Sequence, residues 1–100
     1  MNVRIEEQDG YMVAFLAGSL DTAAAPETEK AMSPLNNVED KDIIIDCTDL
    51  EYISSAGLRI FLSILKNAEE KDRHVYIRGI NDKVRAIFTL TGFSNIFEFK

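Results

Sequence analysis

The feature that most restricts the fold of this chain is a strand, helix, strand succession in its second half. Ile43-Ile44-Ile45 is a short β-branched run without polar alternation, as expected for a strand covered on both faces. From Ser55 an amphipathic pattern begins. Leu58, Phe61, Leu62, Leu65 and Ala68 recur at three- and four-residue spacing, with Arg59, Ser63, Lys66, Asn67, Glu69 and Glu70 on the opposite side. Val75-Tyr76-Ile77 follows as the next strand. Two strands joined through a helix run parallel with a right-handed crossover, so the chain must build an α/β sheet.

The other segments fit around that unit. Asp9-Gly10 is a turn dipeptide between a short mixed segment, residues 3–7, and the apolar run Tyr11–Ala17, which predicts a β-hairpin whose second strand is buried on both faces. Gly18-Ser19-Leu20-Asp21-Thr22 is expected to break that strand. Pro26 suits a first helical turn and predicts a helix to about Ser33, with Pro34 and Asn36–Lys41 as a solvated connection. Asn81 is placed to cap a helix through Val84, Ile87, Phe88 and Thr91, ended by Gly92. Ile96–Phe99 alternates and predicts an edge strand or a packed tail.

One hundred residues with 46% hydrophobic content support one domain with one core. The net charge of -6 argues against nucleic-acid binding, which needs clustered Lys and Arg. Cys47 is the single cysteine, and an N-terminus of M-N-V-R-I-E-E has no apolar signal segment, so a reduced, cytoplasmic setting is expected. No apolar stretch approaches the roughly 20 residues that span a bilayer.

The chemistry concentrates at Asp46–Arg59, D-C-T-D-L-E-Y-I-S-S-A-G-L-R. A hydroxyl just before a helix accepts a first-turn N–H, and Ser54 or Ser55 can serve as that cap. The small Ala56-Gly57 pair opens the helix without side-chain bulk, which leaves the hydroxyls accessible; close backbone packing is the other reading of Gly57. A phosphate on Ser55 adds a charge of about -1.5 to -2 at the positive end of the helix dipole, where the fold tolerates it. If Ser55 is phosphorylated, any regulatory effect is expected to come from repulsion or steric exclusion of a docked partner rather than from unfolding.

Catalysis is not expected. Asp46, Ser55 and His74 are the one set with hydrolytic residue types, but Ser55 follows the C-terminal end of its strand whereas His74 precedes the next parallel strand, so the two belong at opposite edges. Ile53 occupies the first glycine position of a nucleophile-elbow motif. One Cys and one His far apart make no metal-ligand set, and Cys47 reads as a small core hydrophobe. No Gly-rich phosphate-binding motif occurs, and no cofactor is expected.

The stretch D-L-E-Y-I-S-S-A-G-L-R, the earlier G-S-L-D-T at Gly18–Thr22 and the closing L-T-G-F at Leu90–Phe93 together resemble the anti-sigma factor antagonists of the STAS superfamily. The resemblance covers nearly the whole chain. It implies a single STAS domain over residues 1–100, with a small mixed sheet, a β-hairpin start, parallel βαβ units and helices packed against them. It further implies partner switching. The unphosphorylated protein binds an anti-sigma factor that is also a serine kinase of the GHKL ATPase type, phosphorylation breaks the complex, and a PP2C-type phosphatase restores it. The acceptor maps to Ser55, with Ser54 second; where other members carry an acid and a further hydroxyl, this chain has Ser54 and Ala56. The acidic residue after G-x-L maps to Asp21, for which helix capping is the competing role.

The docking face expected on this basis is Tyr52, Ser54, Ser55, Ala56 and Gly57, with Asp21 nearby and the helix residues Arg59, Ile60, Ser63 and Ile64. Ile60 and Ile64 lie beside the main apolar stripe and are either anchors for a partner or buried against the Asn81–Thr91 helix. The competing function is a STAS module that docks constitutively, for example in a transporter-associated assembly, with Ser55 acting only as a cap.

Overall fold

The computed structural model describes residues 1–100. β1 (Asn2–Gln8) and β2 (Tyr11–Leu20) form an antiparallel hairpin. Asp9 and Gly10 between them both have positive φ, 50° and 84°, as a type I′ turn requires. β2 then pairs in parallel with β3 (Ile43–Ile53), β3 with β4 (Val75–Arg78), and β4 with β5 (Glu98–Phe99). The result is one mixed sheet in the order β1-β2-β3-β4-β5.

Three helices connect the strands: α1 (Ala25–Met32), α2 (Ser55–Glu70) and α3 (Asp82–Thr91). α1 gives way to a 3₁₀ turn over Ser33–Asn37, so the connection expected to be irregular is partly helical. α3 has the expected signals at both ends. Asn81 accepts from the Val84 amide at 2.8 Å, and Gly92 closes the helix in the left-handed conformation. The C-terminal segment is resolved as an edge strand, with Phe97 buried against the rings of Phe61 and Phe88.

The helices cover one face of the sheet, not two. Ala14, Leu16, Ile43, Ile45, Cys47, Val75 and Ile77 join the helix side chains in a single core of 22 buried residues. Val13 and Ile44 alternate to the other face and are still buried, yet lie outside that core. They are flanked by the aromatic rows Tyr11, Phe15 and Tyr76, on which long cations rest: Arg4 lies 4.4 Å from the Phe15 ring centre and Lys100 4.7 Å from that of Tyr76. Strands that read as covered on both faces are therefore covered by helices on one side and by the stems of arginine and lysine on the other.

Two strands run longer than expected, and the reason is the same for both. β2 continues through Gly18 to Leu20, and β3 continues from Asp46 to Ile53, because β3 carries extra residues that the pairing absorbs as bulges. Phe15 pairs with Asp46 but Ala17 with Asp49, and Gly18 pairs with Leu50 but Ser19 with Tyr52. Gly18 takes φ 108°, which a side chain would resist. The turn-forming residues Asp46, Thr48 and Asp49 serve the bulge. Asp46 accepts the Thr48 amide at 2.9 Å and receives the Arg78 Nε at 2.8 Å.

Candidate functional site at the start of α2

β3 delivers the chain to α2 with its backbone tied to β2. The Ser54 amide donates to the Leu20 carbonyl at 2.8 Å, which places Asp21 beside the junction. Ser54 is the N-cap residue: its Oγ accepts from the Gly57 amide at 3.2 Å, and its carbonyl accepts from the Leu58 amide. The Ser54 side chain is buried, whereas Ser55, the first helical residue, is exposed. The two hydroxyls thus divide their tasks. Ser55 is not the cap, and Ser54 is not free to be offered to a partner.

Of the four first-turn amides, those of Ser54 and Gly57 are satisfied, which leaves Ser55 and Ala56 as the open donors at the positive end of the 16-residue helix. The first turn carries no acidic side chain to compete with an incoming anion. Gly57 has a different role from the one its small size suggested. A Cβ there would stand 2.7 Å from Leu20 Cγ and 2.8 Å from Ile53 Cγ1, so the glycine lets α2 seat directly on the ends of β2 and β3. It is buried and presents nothing to a partner.

Ile60 and Ile64 are also buried, at 5% and 2% exposure, and so are not docking anchors. Nor is α3 what covers them. They line a seam with Met32 and Asn36, on the side of α2 that meets α1 and the 3₁₀ turn. The exposed candidates are Tyr52, Ser55, Arg59 and Ser63, with Ala56 half-buried. Asp21 is exposed and accepts the Ala24 amide at 2.8 Å, which ties down the turn that leads into α1.

Sequence reasoning missed the second wall of this site. Pro26 and Glu29 of α1 face Ala56, Arg59 and Ser63 of α2 across an open groove of about 420 Å³. No local pattern signals it, because the contact joins segments some thirty residues apart through the sheet.

The residues with hydrolytic types do not converge. His74 lies at the start of β4, where its amide donates to Asp42 and its Nδ1 stands 3.0 Å from Glu98 Oε2. Asp46 is engaged with Thr48 and Arg78 on the open face, and Ser55 lies beyond the far end of β3. Burial raises the Asp46 carboxyl, but hydrogen bonds from Thr48 and Arg78 outweigh it, and the net shift is downward. Burial, reinforced by the neighbouring Asp46 charge, pushes the Cys47 thiol far above the ordinary cysteine range, so it is an inert core residue. No group of three or more His, Cys, Asp or Glu side chains is arranged to hold a metal ion, and no helix is long and apolar enough to cross a membrane.

Fold and site define a small α/β domain of one mixed sheet, helices on one face, and a hydroxyl pair split between cap and surface at a helix start. The STAS domain family model matches residues 2–100, and the chain belongs to that family. The anti-sigma-B factor antagonist of Staphylococcus aureus is 28% identical over 96 residues, covering 96% of this chain and 89% of that protein. Among solved structures, an anti-sigma factor antagonist from Mycobacterium paratuberculosis superposes with a TM-score of 0.87 at 22% identity, over 98% of this chain and 83% of its own. The antagonist SpoIIAA in its unphosphorylated form gives 0.80 at 19% identity, over 99% and 88%, and SpoIIAA in its phosphorylated form gives 0.72 at 18% identity, over 99% and 91%. A sulfate transporter family protein from Wolinella succinogenes shares the fold with a TM-score of 0.75 at 15% identity, over 92% and 78%.

Proposed function

We propose that this chain is an anti-sigma factor antagonist that acts by partner switching without catalysing a reaction itself. Unphosphorylated, it docks an anti-sigma factor that is also a serine kinase of the GHKL type through Ser55, Tyr52, Arg59, Ser63 and the adjoining α1 wall. Phosphorylation of Ser55 releases that partner, and a PP2C-type phosphatase resets the switch. The setting is cytoplasmic. One observation carries the reading: Ser55 stands exposed at the first position of α2 beside unpaired amides, while Ser54 alone performs the capping. The curated S. aureus relative is named for antagonism of an anti-sigma factor, and SpoIIAA is described in both phosphorylated and unphosphorylated forms.

The mechanism follows from charge and geometry. A phosphate of about -1.5 to -2 charge at Ser55 is held by the open amides and the helix dipole, so the domain stays folded. Its bulk and charge stand where the partner must lie. The test is a pull-down from native lysate with wild type and Ser55→Asp, followed by incubation of the retained kinase with ATP and phosphopeptide mapping. A GHKL kinase held by wild type, lost by Ser55→Asp and able to modify Ser55 supports the switch. A partner held equally by both forms, with no phosphate added, supports the constitutive docking module, whose fold the transporter protein shares.

A further inference from the structure

The two edges of the sheet differ sharply. β5 is a two-residue strand, too short to template another chain, whereas β1 presents seven residues along its outer edge. The turn geometry says which backbone groups lie there. Gln8 and Tyr11 flank a two-residue turn and form a hydrogen-bonded pair, and hydrogen-bonded pairs alternate along an antiparallel ladder. Val3, Ile5 and Glu7 therefore direct their N–H and C=O groups outward. No backbone–backbone hydrogen bond outside the hairpin ladder involves residues 2–8.

We propose that β1 pairs antiparallel with β1 of a second copy of this chain, giving a two-fold dimer with a continuous ten-stranded sheet. Symmetry restricts the register. A two-fold axis perpendicular to the sheet must pass through a residue, and only three centres keep most of the strand paired. Centring on Arg4 sets Arg4 against the partner's Arg4, and centring on Glu6 sets Glu6 against the partner's Glu6; both oppose like charges. Centring on Ile5 sets Arg4 against the partner's Glu6 and Glu6 against the partner's Arg4, with Asn2 against the partner's Gln8 and Ile5 against the partner's Ile5. The same register joins the outward groups of Val3, Ile5 and Glu7 in about six backbone hydrogen bonds. Arg4 and Glu6 already lie on one face of β1 and touch each other there, at 64% and 41% side-chain exposure, with the Arg4 guanidinium also over the Phe15 ring, so the dimer exchanges one Arg4–Glu6 contact within each copy for one between copies.

The edge is short against the roughly 800 Å² per partner of a standard interface, so the dimer is weak and concentration-dependent. Sedimentation velocity from about 10 μM to about 1 mM tests it, over the affinities such an interface supports. Wild type shifts towards the dimer across that range and shifts less in high salt. Arg4→Glu sediments as a monomer, and Arg4→Glu combined with Glu6→Arg restores the dimer, while circular dichroism reports an unchanged fold for all three. A wild type that is monomeric throughout, a dimer that Arg4→Glu leaves intact, or a charge swap that fails to restore association overturns the proposal.

Discussion

Ser54 and Ser55 are adjacent and chemically identical, yet their environments assign them opposite work. Ser54 spends its oxygen on the Gly57 amide inside the protein, and Ser55 keeps its own at the surface. Ser54→Ala removes a cap contribution of about 1 kcal/mol, which in a domain of this size lowers Tm by about 4–8 °C. Ser55→Ala changes stability by no more than about 0.5 kcal/mol while removing the hydroxyl proposed as the phosphate acceptor. Thermal melts of the two variants, with phosphate incorporation measured in parallel, check both statements. Gly57→Ala is the most costly change at this junction. Its Cβ meets Leu20 and Ile53 below 3.0 Å, and overpacking of this kind costs about 1–3 kcal/mol, readable from a urea transition.

At the scale of elements, α2 is buried over a wider arc than its main apolar stripe suggests. Leu58, Phe61, Leu65 and Ala68 of that stripe are buried and Leu62 is half-buried at its edge, while Ile60 and Ile64 extend the buried face towards α1. Ile64→Ala is therefore expected to cost about 2–5 kcal/mol in chemical denaturation, the range for truncating a fully buried aliphatic side chain. Ile60→Glu places a charge in the same seam and lowers Tm before any partner is added, so loss of binding in that variant reports unfolding; circular dichroism of the isolated protein reveals it. The stripe itself was legible because three- and four-residue spacing is a property of one helix. The additional width was not, since it exists only where α1 lies alongside. The extra residues of β3 were hidden for a similar reason. Asp46, Thr48 and Asp49 have turn chemistry, and only pairing with β2 converts that chemistry into a bulged strand.

Across the whole molecule, helices protect one face of the sheet and cation-capped aromatic rows protect the other. Asp46 sits within that second face, bound to Arg78 from the neighbouring strand and to the bulge amide of Thr48. Its pKa is depressed in the folded protein, so the ionised form is the one that folding favours. The stability it contributes is fully present above the unfolded carboxylate value of about 3.9 and is lost as pH falls through the lower folded value. Asp46→Asn should lower the urea midpoint at pH 7 and show a shallower decline than wild type below about pH 4. Equal slopes for the two proteins in that range would remove Asp46 from the acid response.

What the sequence determined by itself is what short-range backbone preference and periodicity can specify: the hairpin turned by Asp9-Gly10, the parallel crossover through α2, the start and stop of α3 at Asn81 and Gly92, and the location of a hydroxyl pair at a helix start. What only the tertiary structure decided is which of those groups is covered. Ser54 is sealed and Ser55 open, Ile60 and Ile64 face α1, Gly57 seats α2 on Leu20 and Ile53, and one face of the sheet is left to arginine and lysine stems. Burial depends on segments distant along the chain, and a residue's own neighbours in sequence carry no record of what the sheet will set against it.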